Sequence, residues 1–400
     1  MGLHALSSQR ASTPAERREL TIKWIGGLLA LLVLLGGVAG LWRMVTGLGA
    51  TTALTDDIPW GIWIGFDFSL IAFSGAAFTM AGVVYILRRN TYKPALRPAV
   101  LTGLLGYTAV LVLLVLDLGR PDRFYHFILF WNAHSPLFEI CWCILLYTVV
   151  LTVEVSPQVL EKIGQHRWAH RIHLAIVPVA IIAVTLSSLH QSTLGTLYLN
   201  MPHRLNALWF TPILPVLFFS SAVMTGLTMG ALGYRAACAA TGQKMERRVY
   251  GGLARAAGWL AVFYLAIKVG DWIARGQIPA LLSFDYYSRL MWGEIALLVI
   301  PAALLVIPAL RRNLPALTAG LLLLAGGVLL NRFNATLFAQ AQPNGAVYSP
   351  APAEWLSTLG VMAAAALAWL LAVRFLTVFE PQKNPRAAPG TTKADAARKA

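Results

Sequence analysis

Charge is scarce in this chain. Asp, Glu, Lys and Arg make up 12% of its 400 residues, about half the roughly 25% usual for a soluble globular protein. A free-standing water-soluble enzyme of this length is thereby excluded. Cysteine is scarce too: Cys141, Cys143 and Cys238 are too few for a disulfide framework or for the thiolates of an iron–sulfur cluster. The Cys141-Trp142-Cys143 run lacks Cys-x-x-Cys spacing, and all three are read as small core residues. Histidine is limited to His4, His126, His134, His166, His170, His173, His190 and His203. None is expected near the middle of a span, which argues against haem held by an axial pair. No zinc spacing, phosphate loop or Ser/His/Asp constellation is visible. A cleavable signal peptide is not expected, because about twenty polar residues precede the first apolar run and no convincing small-residue cleavage site follows it.

What the chain has instead is apolar length. It is 58% hydrophobic, with a mean hydropathy of +0.65. Runs of ~20 apolar residues suffice to cross a bilayer, and ten are present, near 22–42, 61–87, 97–117, 135–155, 172–190, 210–233, 253–275, 287–310, 314–332 and 353–378. The fold class is all-α and polytopic. The break at Arg311-Arg312-Asn313 decides the topology after it, since one long kinked helix there would reverse the remaining spans. With the N-terminus inside, every Lys and Arg except Arg43, Arg120, Arg123, Arg204, Lys268, Arg275, Arg289 and Arg332 falls on the inner side. By the positive-inside rule both termini are expected in the cytoplasm. The net charge of +15 is then a topology signal, and a nucleic-acid partner drops out. Residues 1–21 are expected to form a cytoplasmic segment, 22–378 the membrane domain, and 379–400 a disordered tail.

Ionisable residues inside spans are costly, ~2.5–3.5 kcal/mol at the bilayer centre on insertion scales, and so usually have a partner or a task. Here they gather in the outer half: Asp67, Asp117, Glu139, His190, Lys268, Asp271 and Glu294. Glu154 and His173 lie at inner ends. Each has a plain structural alternative. Lys268 and Asp271 share a helix face and could neutralise each other. Asp67 could bond Ser69 or Ser74, or pair across helices. Asp117 could pair with Arg120 or Arg123. Glu139, after Ser135-Pro136, could complete a capping box. It could equally handle protons, with Leu137, Phe138 and Ile140 desolvating it. His190 could be a satisfied interfacial histidine, and Tyr107 a packed aromatic with one hydrogen bond.

Four stretches carry a family resemblance: Pro59-Trp-Gly-Ile-Trp-Ile-Gly-Phe-Asp67, Gly106-Tyr107 through Asp117-Leu-Gly-Arg120, Phe138-Glu139 through Trp142, and Leu189-His190-Gln191-Ser192 through Gly195. They resemble the NrfD/polysulfide-reductase membrane subunits, over a core of about 57–332. Within that family they are most similar to the Hyb-type membrane subunit of periplasmic nickel–iron hydrogenases. The resemblance implies two four-helix bundles, spans two to five and six to nine, with one helix flanking at each end. It implies a haem-free subunit of an oxidoreductase complex in the bacterial inner membrane, not itself catalytic toward hydrogen. A ferredoxin-like iron–sulfur subunit would dock outside, and through it the small and large hydrogenase subunits. The other expected partners are membrane lipid and a second copy of the complex. Electrons would pass to menaquinone or ubiquinone, with Glu139, Asp117 and His190 moving protons. Tyr107, His190, Arg120, Asp67 and Trp142 would line the quinone pocket. An ion or solute transporter and a purely structural anchor are the competing readings; a transporter would place broken helices and polar groups at the midplane.

Overall fold

The computed structural model describes residues 13–341, 347–376 and 378–379. Ten helices long and apolar enough to cross a membrane account for most of them: α1 (Pro14–Thr46), α2 (Ile62–Ile86), α3 (Asn90–Asp117), α4 (Pro136–Lys162), α5 (Ile176–Leu199), α6 (Leu214–Thr241), α7 (Arg247–Ala274), α8 (Tyr286–Val306), α9 (Leu314–Phe338) and α10 (Pro352–Phe375). With no water to satisfy backbone groups in hydrocarbon, helices are the way this composition can cross. Of the tail expected to be disordered at 379–400, Phe379 instead packs edge-on against Tyr234, and the rest lies outside the described residues.

Packing follows chain order. Helices α2 to α5 close into one four-helix bundle and α6 to α9 into a second, with α6 seated against α2, α3 and α5, and α9 against α2. Helix α1 lies along α10, and the pair leans on α3. The break expected near Arg311 is real: α8 stops at Val306, a single turn spans Pro308–Arg311, and α9 starts at Leu314. Two prolines explain it, Pro308 and Pro315, each lacking a backbone donor and suited to a first helical turn. The α1–α10 contact needs glycine. A Cβ on Gly360 would run into the backbone of Gly36, and one on Gly36 into that of Gly360. Gly360→Leu is therefore expected to unseat α1 at a cost of about 1–3 kcal/mol, read as faster proteolysis in the loop between α1 and α2 while the bundles stay folded.

The two ends of the molecule differ. At one end lie the C-termini of α1, α3, α5, α7 and α9, and there loops are knitted by polar contacts. Arg43 donates to the carbonyl of Leu118 at 2.5 Å, so a cation closes the C-terminal end of α3. Leu205 bridges to Gln340. Glu354 accepts from Ala53 N at 2.9 Å and from the Tyr348 phenol at 2.5 Å. Tyr348 in turn accepts from Ile62 N at 2.7 Å. Burial first, then its bond to Glu354, raises the Tyr348 phenol above its ordinary value, so it stays a donor. The opposite end carries the basic loops and the bidentate Arg97–Glu161 pair at 2.9 Å.

Candidate functional site in the first bundle

One stripe of α4 organises the site. Glu139, Cys143 and Tyr147 follow at intervals of four, and Glu154 lies seven beyond Tyr147, so all four share a face. Tyr147 is fully buried and stands edge-on to Tyr107 of α3, ring centroids 4.8 Å apart. The Tyr107 hydroxyl meets His190 Nδ1 of α5 at 2.9 Å, with both residues fully buried. Ser187, one turn before His190, is buried between the same helices. One turn after it, the Thr193 hydroxyl reaches Glu139 Oε1 at 2.7 Å. Gln191 fixes α5 to α2 by donating to the carbonyl of Ile71 at 2.8 Å.

His190 sits deeper than its sequence context suggested. The fifth span, expected at 172–190, runs from Ile176 to Leu199. His190 is therefore nine residues, or roughly 13 Å, inside the helix end rather than at it. The histidine-poor middle expected of the spans thus holds one exception. Gln191, Ser192 and Thr193 put this stretch outside the expected span, yet the Ser192 and Thr193 hydroxyls bond back to carbonyls three and four residues earlier. Helix continues through them.

The acids divide by environment. Asp67 is buried, as a site acid should be, but neither suggested serine binds it: Ser69 donates to the Gly65 carbonyl at 2.7 Å, and Ser74 Oγ is buried without a partner. Asp67 and Asp117 lie within electrostatic range of one another, and Asp117 feels Arg43 and Glu354 as well. Arg43, not Arg120 or Arg123, is thus the cation serving Asp117. Arg120 pairs with Asp122 at 2.8 Å on the exposed loop, away from the buried groups. Glu139 also departs from expectation. Ser135 caps α4 through Phe138 N at 3.4 Å, which places Glu139 one position too late to complete the box. Ile140 is buried beside it, but Glu139 itself is exposed on the surface of the chain, so its apolar neighbours do not desolvate it in the way expected. Trp142 packs on Trp131 and Phe127 at 5.2 and 5.9 Å, pinning the loop between α3 and α4 to the bundle. Beside that contact lies an apolar groove of about 310 Å³ lined by Phe127, Phe130, Leu137, Phe138 and Cys141.

A quinone head needs hydrogen-bond partners in an apolar setting, and this bundle has unspent ones. His190 Nε2, Asp67 Oδ1, Ser74 Oγ and Trp142 Nε1 are all buried with no hydrogen-bond partner. Buried polar atoms are rarely left so, and the set contains both donors and acceptors. Buried donors and acceptors of this kind are what a carbonyl-bearing aromatic ring requires of its surroundings. Tyr147 and Ser187 were not singled out from sequence; the available signal was their spacing from Glu139 and His190 on shared faces.

The second bundle holds a separate polar network that sequence reading mispaired. Lys268 does not neutralise Asp271. It forms an ion pair with Glu294 of α8, while Asp271 binds Arg275 one turn on and accepts from the Thr211 hydroxyl at 2.6 Å. Glu294 also accepts from Trp209 Nε1 at 2.9 Å, Asn331 Nδ2 at 2.9 Å and Asn334 Nδ2 at 3.1 Å. Arg332, fully buried, lies over the Phe218 ring at 3.9 Å and donates to Ser221 Oγ at 2.8 Å. Among the described residues no three His, Cys, Asp or Glu converge as a metal site would require.

Comparison with known proteins places this architecture. The family described as Polysulphide reductase, NrfD, matches residues 50–344. Over 350 residues the chain is 27% identical to the "Probable Ni/Fe-hydrogenase 2 b-type cytochrome subunit" of Escherichia coli, covering 86% of this chain and 89% of that one. Over 376 residues it is 31% identical to the "Menaquinone reductase, integral membrane subunit" of Nitratidesulfovibrio vulgaris, covering 87% and 89%. A further protein of the same organism is 36% identical over 253 residues, a match spanning 65% of its length.

Proposed function

The chain belongs to the NrfD polysulphide reductase family, and from that premise we propose that it is the quinone-reactive membrane subunit of a redox complex. In this reading it passes electrons between an iron–sulfur subunit and menaquinone or ubiquinone, serving hydrogen oxidation by a nickel–iron hydrogenase. The observation that carries the proposal is the buried Tyr107–His190 hydrogen bond at 2.9 Å, with His190 Nε2 buried and without a hydrogen-bond partner. The relatives named for menaquinone reduction and for a hydrogenase complex support it. Lone placement also supports a chain without haem: His190 is the one buried histidine among the described residues, whereas a bis-histidine axial pair needs two.

Reducing a quinone to a quinol takes two electrons and two protons. His190 Nε2 is placed to hydrogen-bond a ring oxygen, and Tyr107 fixes the ring through Nδ1, setting which nitrogen presents its lone pair or proton. Asp67 and Asp117 form the acid reservoir on one side of His190. On the other side, the stripe Tyr147–Glu154 runs to the basic end, where Glu154 is buried with both carboxyl oxygens unpartnered and lines a cavity of about 300 Å³. Glu139, tied through Thr193 to the helix face of His190, links the site to the apolar groove and acts where a proton meets the surface. The exposed Phe124, Phe130 and Trp131 of the loop between α3 and α4 form the docking face for the iron–sulfur partner. That face is periplasmic if the basic loops are cytoplasmic.

Glu139→Gln tests the surface role. It keeps the bond from Thr193 but cannot carry a proton, so quinone reduction by the purified complex is expected to fall about tenfold or more, within the range general acid–base groups contribute. Electron delivery to the iron–sulfur subunit should be unchanged. Wild-type turnover in this variant, with every subunit still co-purifying, removes Glu139 from the proton path.

A further inference from the structure

At the basic end, away from the buried groups of the first bundle, lies a second open cavity of about 550 Å³. Its walls are Arg247, Arg248 and Arg255 of α7 on one side and Arg311 and Arg312, from the turn between α8 and α9, on the other. No carboxylate lines it. Glu246, the carboxylate next in sequence, lines the separate cavity beside Glu154.

The floor is Gly251 and Gly252. A Cβ on Gly251 would meet nothing within 4 Å, so packing of α7 does not require glycine there, whereas one on Gly252 would run into the Tyr92 ring. Arg247 also donates to the backbone carbonyl of Arg312, which holds the two cationic walls together across the gap. Five guanidinium groups brought together with no anion between them repel, and nothing in the packing requires five. Positive loops are ordinary on this side of a membrane protein, but here two cationic walls face each other across an open groove.

Depth identifies the ligand. Arg255, Trp259 and Phe263 recur every four residues on one face of α7, and both aromatics are exposed. Trp259 and Phe263 therefore lie about 6 and 12 Å further along α7 from the basic end than Arg255, in hydrocarbon. On the other wall, Ile307 and Leu310 are exposed too. The groove thus presents arginine forks above an apolar, lipid-facing surface, and guanidinium binds phosphate oxygens in bidentate fashion. We propose that this groove binds the headgroup of an anionic phospholipid of the adjoining leaflet, its phosphate among the five arginines and its chains along Trp259 and Phe263.

The test uses the full-length chain, purified in mild detergent, with bound lipid measured by native mass spectrometry after exchange into nanodiscs. The nanodiscs contain phosphatidylethanolamine with either cardiolipin or phosphatidylglycerol as the minor component. Wild type is expected to retain the anionic lipid over phosphatidylethanolamine, and the triple variant Arg248→Gln, Arg311→Gln, Arg312→Gln to retain at least fivefold less. A control variant, Arg167→Gln with Arg171→Gln on the exposed basic helix His166–Leu174, should retain as much as wild type. Arg→Lys at the three groove positions, which preserves charge and fold, should restore part of the loss. Three results overturn the proposal: equal retention by the triple variant, equal loss in the control variant, or displacement of the lipid by millimolar inorganic phosphate. The last would make this a site for a soluble anion.

Discussion

Replacing His190 with Ala in the assembled complex is expected to abolish most quinone reduction, lowering turnover by about 100-fold or more, as loss of a positioned proton-transfer group does. The substitution removes the one imidazole buried in the first bundle and strands the Tyr107 hydroxyl that bonds it at 2.9 Å. Ala is favoured within a helix, so α5 should remain intact and the complex should still assemble. Tyr107→Phe separates positioning from chemistry. It leaves His190 in place but frees the ring to rotate, so its effect should be smaller than that of His190→Ala and should appear in KM as well as kcat. The decisive measurement is quinone reduction by the intact complex with a soluble quinone analogue, alongside electron transfer from the catalytic subunit to the iron–sulfur subunit. Loss of the first with retention of the second places the defect at this site. If His190→Ala turns over at the wild-type rate, the quinone does not bind against His190, and the unspent polar atoms around it serve something else.

Lys268→Met is expected to be the most damaging change to stability. Glu294 has Lys268 as its ion-pair partner in a fully buried setting. Removing one member of a buried pair leaves the other charge uncompensated, at a cost of about 3–5 kcal/mol. Three neutral donors, Trp209, Asn331 and Asn334, remain on Glu294, but hydrogen bonds do not cancel a net charge. The double variant Lys268→Met with Glu294→Gln should recover most of the loss, since a neutral pair of similar volume is often no worse than the ions. Midpoints of detergent-induced unfolding measure both. A single variant as stable as wild type would mean that water or a neighbouring cation, such as Arg332, already balances Glu294. Should the double variant be stable yet inactive, the second bundle would have a role in turnover that its satisfied hydrogen bonding conceals.

Ten apolar runs separated by short polar links determine ten helices, because hydrocarbon leaves the backbone no other partners. Short links also make successive helices antiparallel neighbours, while their grouping into two four-helix bundles was an expectation from the family resemblance that the packing bears out. The prolines at 308 and 315 marked the break that keeps α9 separate. Asp67, Tyr107 and His190 stood out in the sequence because polar groups are expensive in such segments, and the structure buries all three.

The choice of partners was decided only in three dimensions. A side chain in a span has four or five helices within reach, and spacing along one helix ranks just the local candidates. Lys268 had Asp271 on its own face and yet chose Glu294, eight residues past the start of α8 and twenty-six away in sequence, because the bundle interior is where an unpaired charge costs most. Asp117 had Arg120 nearby, but the loop carries Arg120 into solvent and onto Asp122, while Arg43 arrives from α1 to close the helix end. Glu139 was expected to be desolvated by Leu137, Phe138 and Ile140, yet in the first turn of α4 it is exposed on the surface of the chain, within reach of Thr193. Sequence therefore determined which residues could not be idle, through the cost of placing them in hydrocarbon. Tertiary structure alone decided which of them meet, because contact depends on helix rotation, and a lipid-facing polar residue and a buried one look the same along the chain.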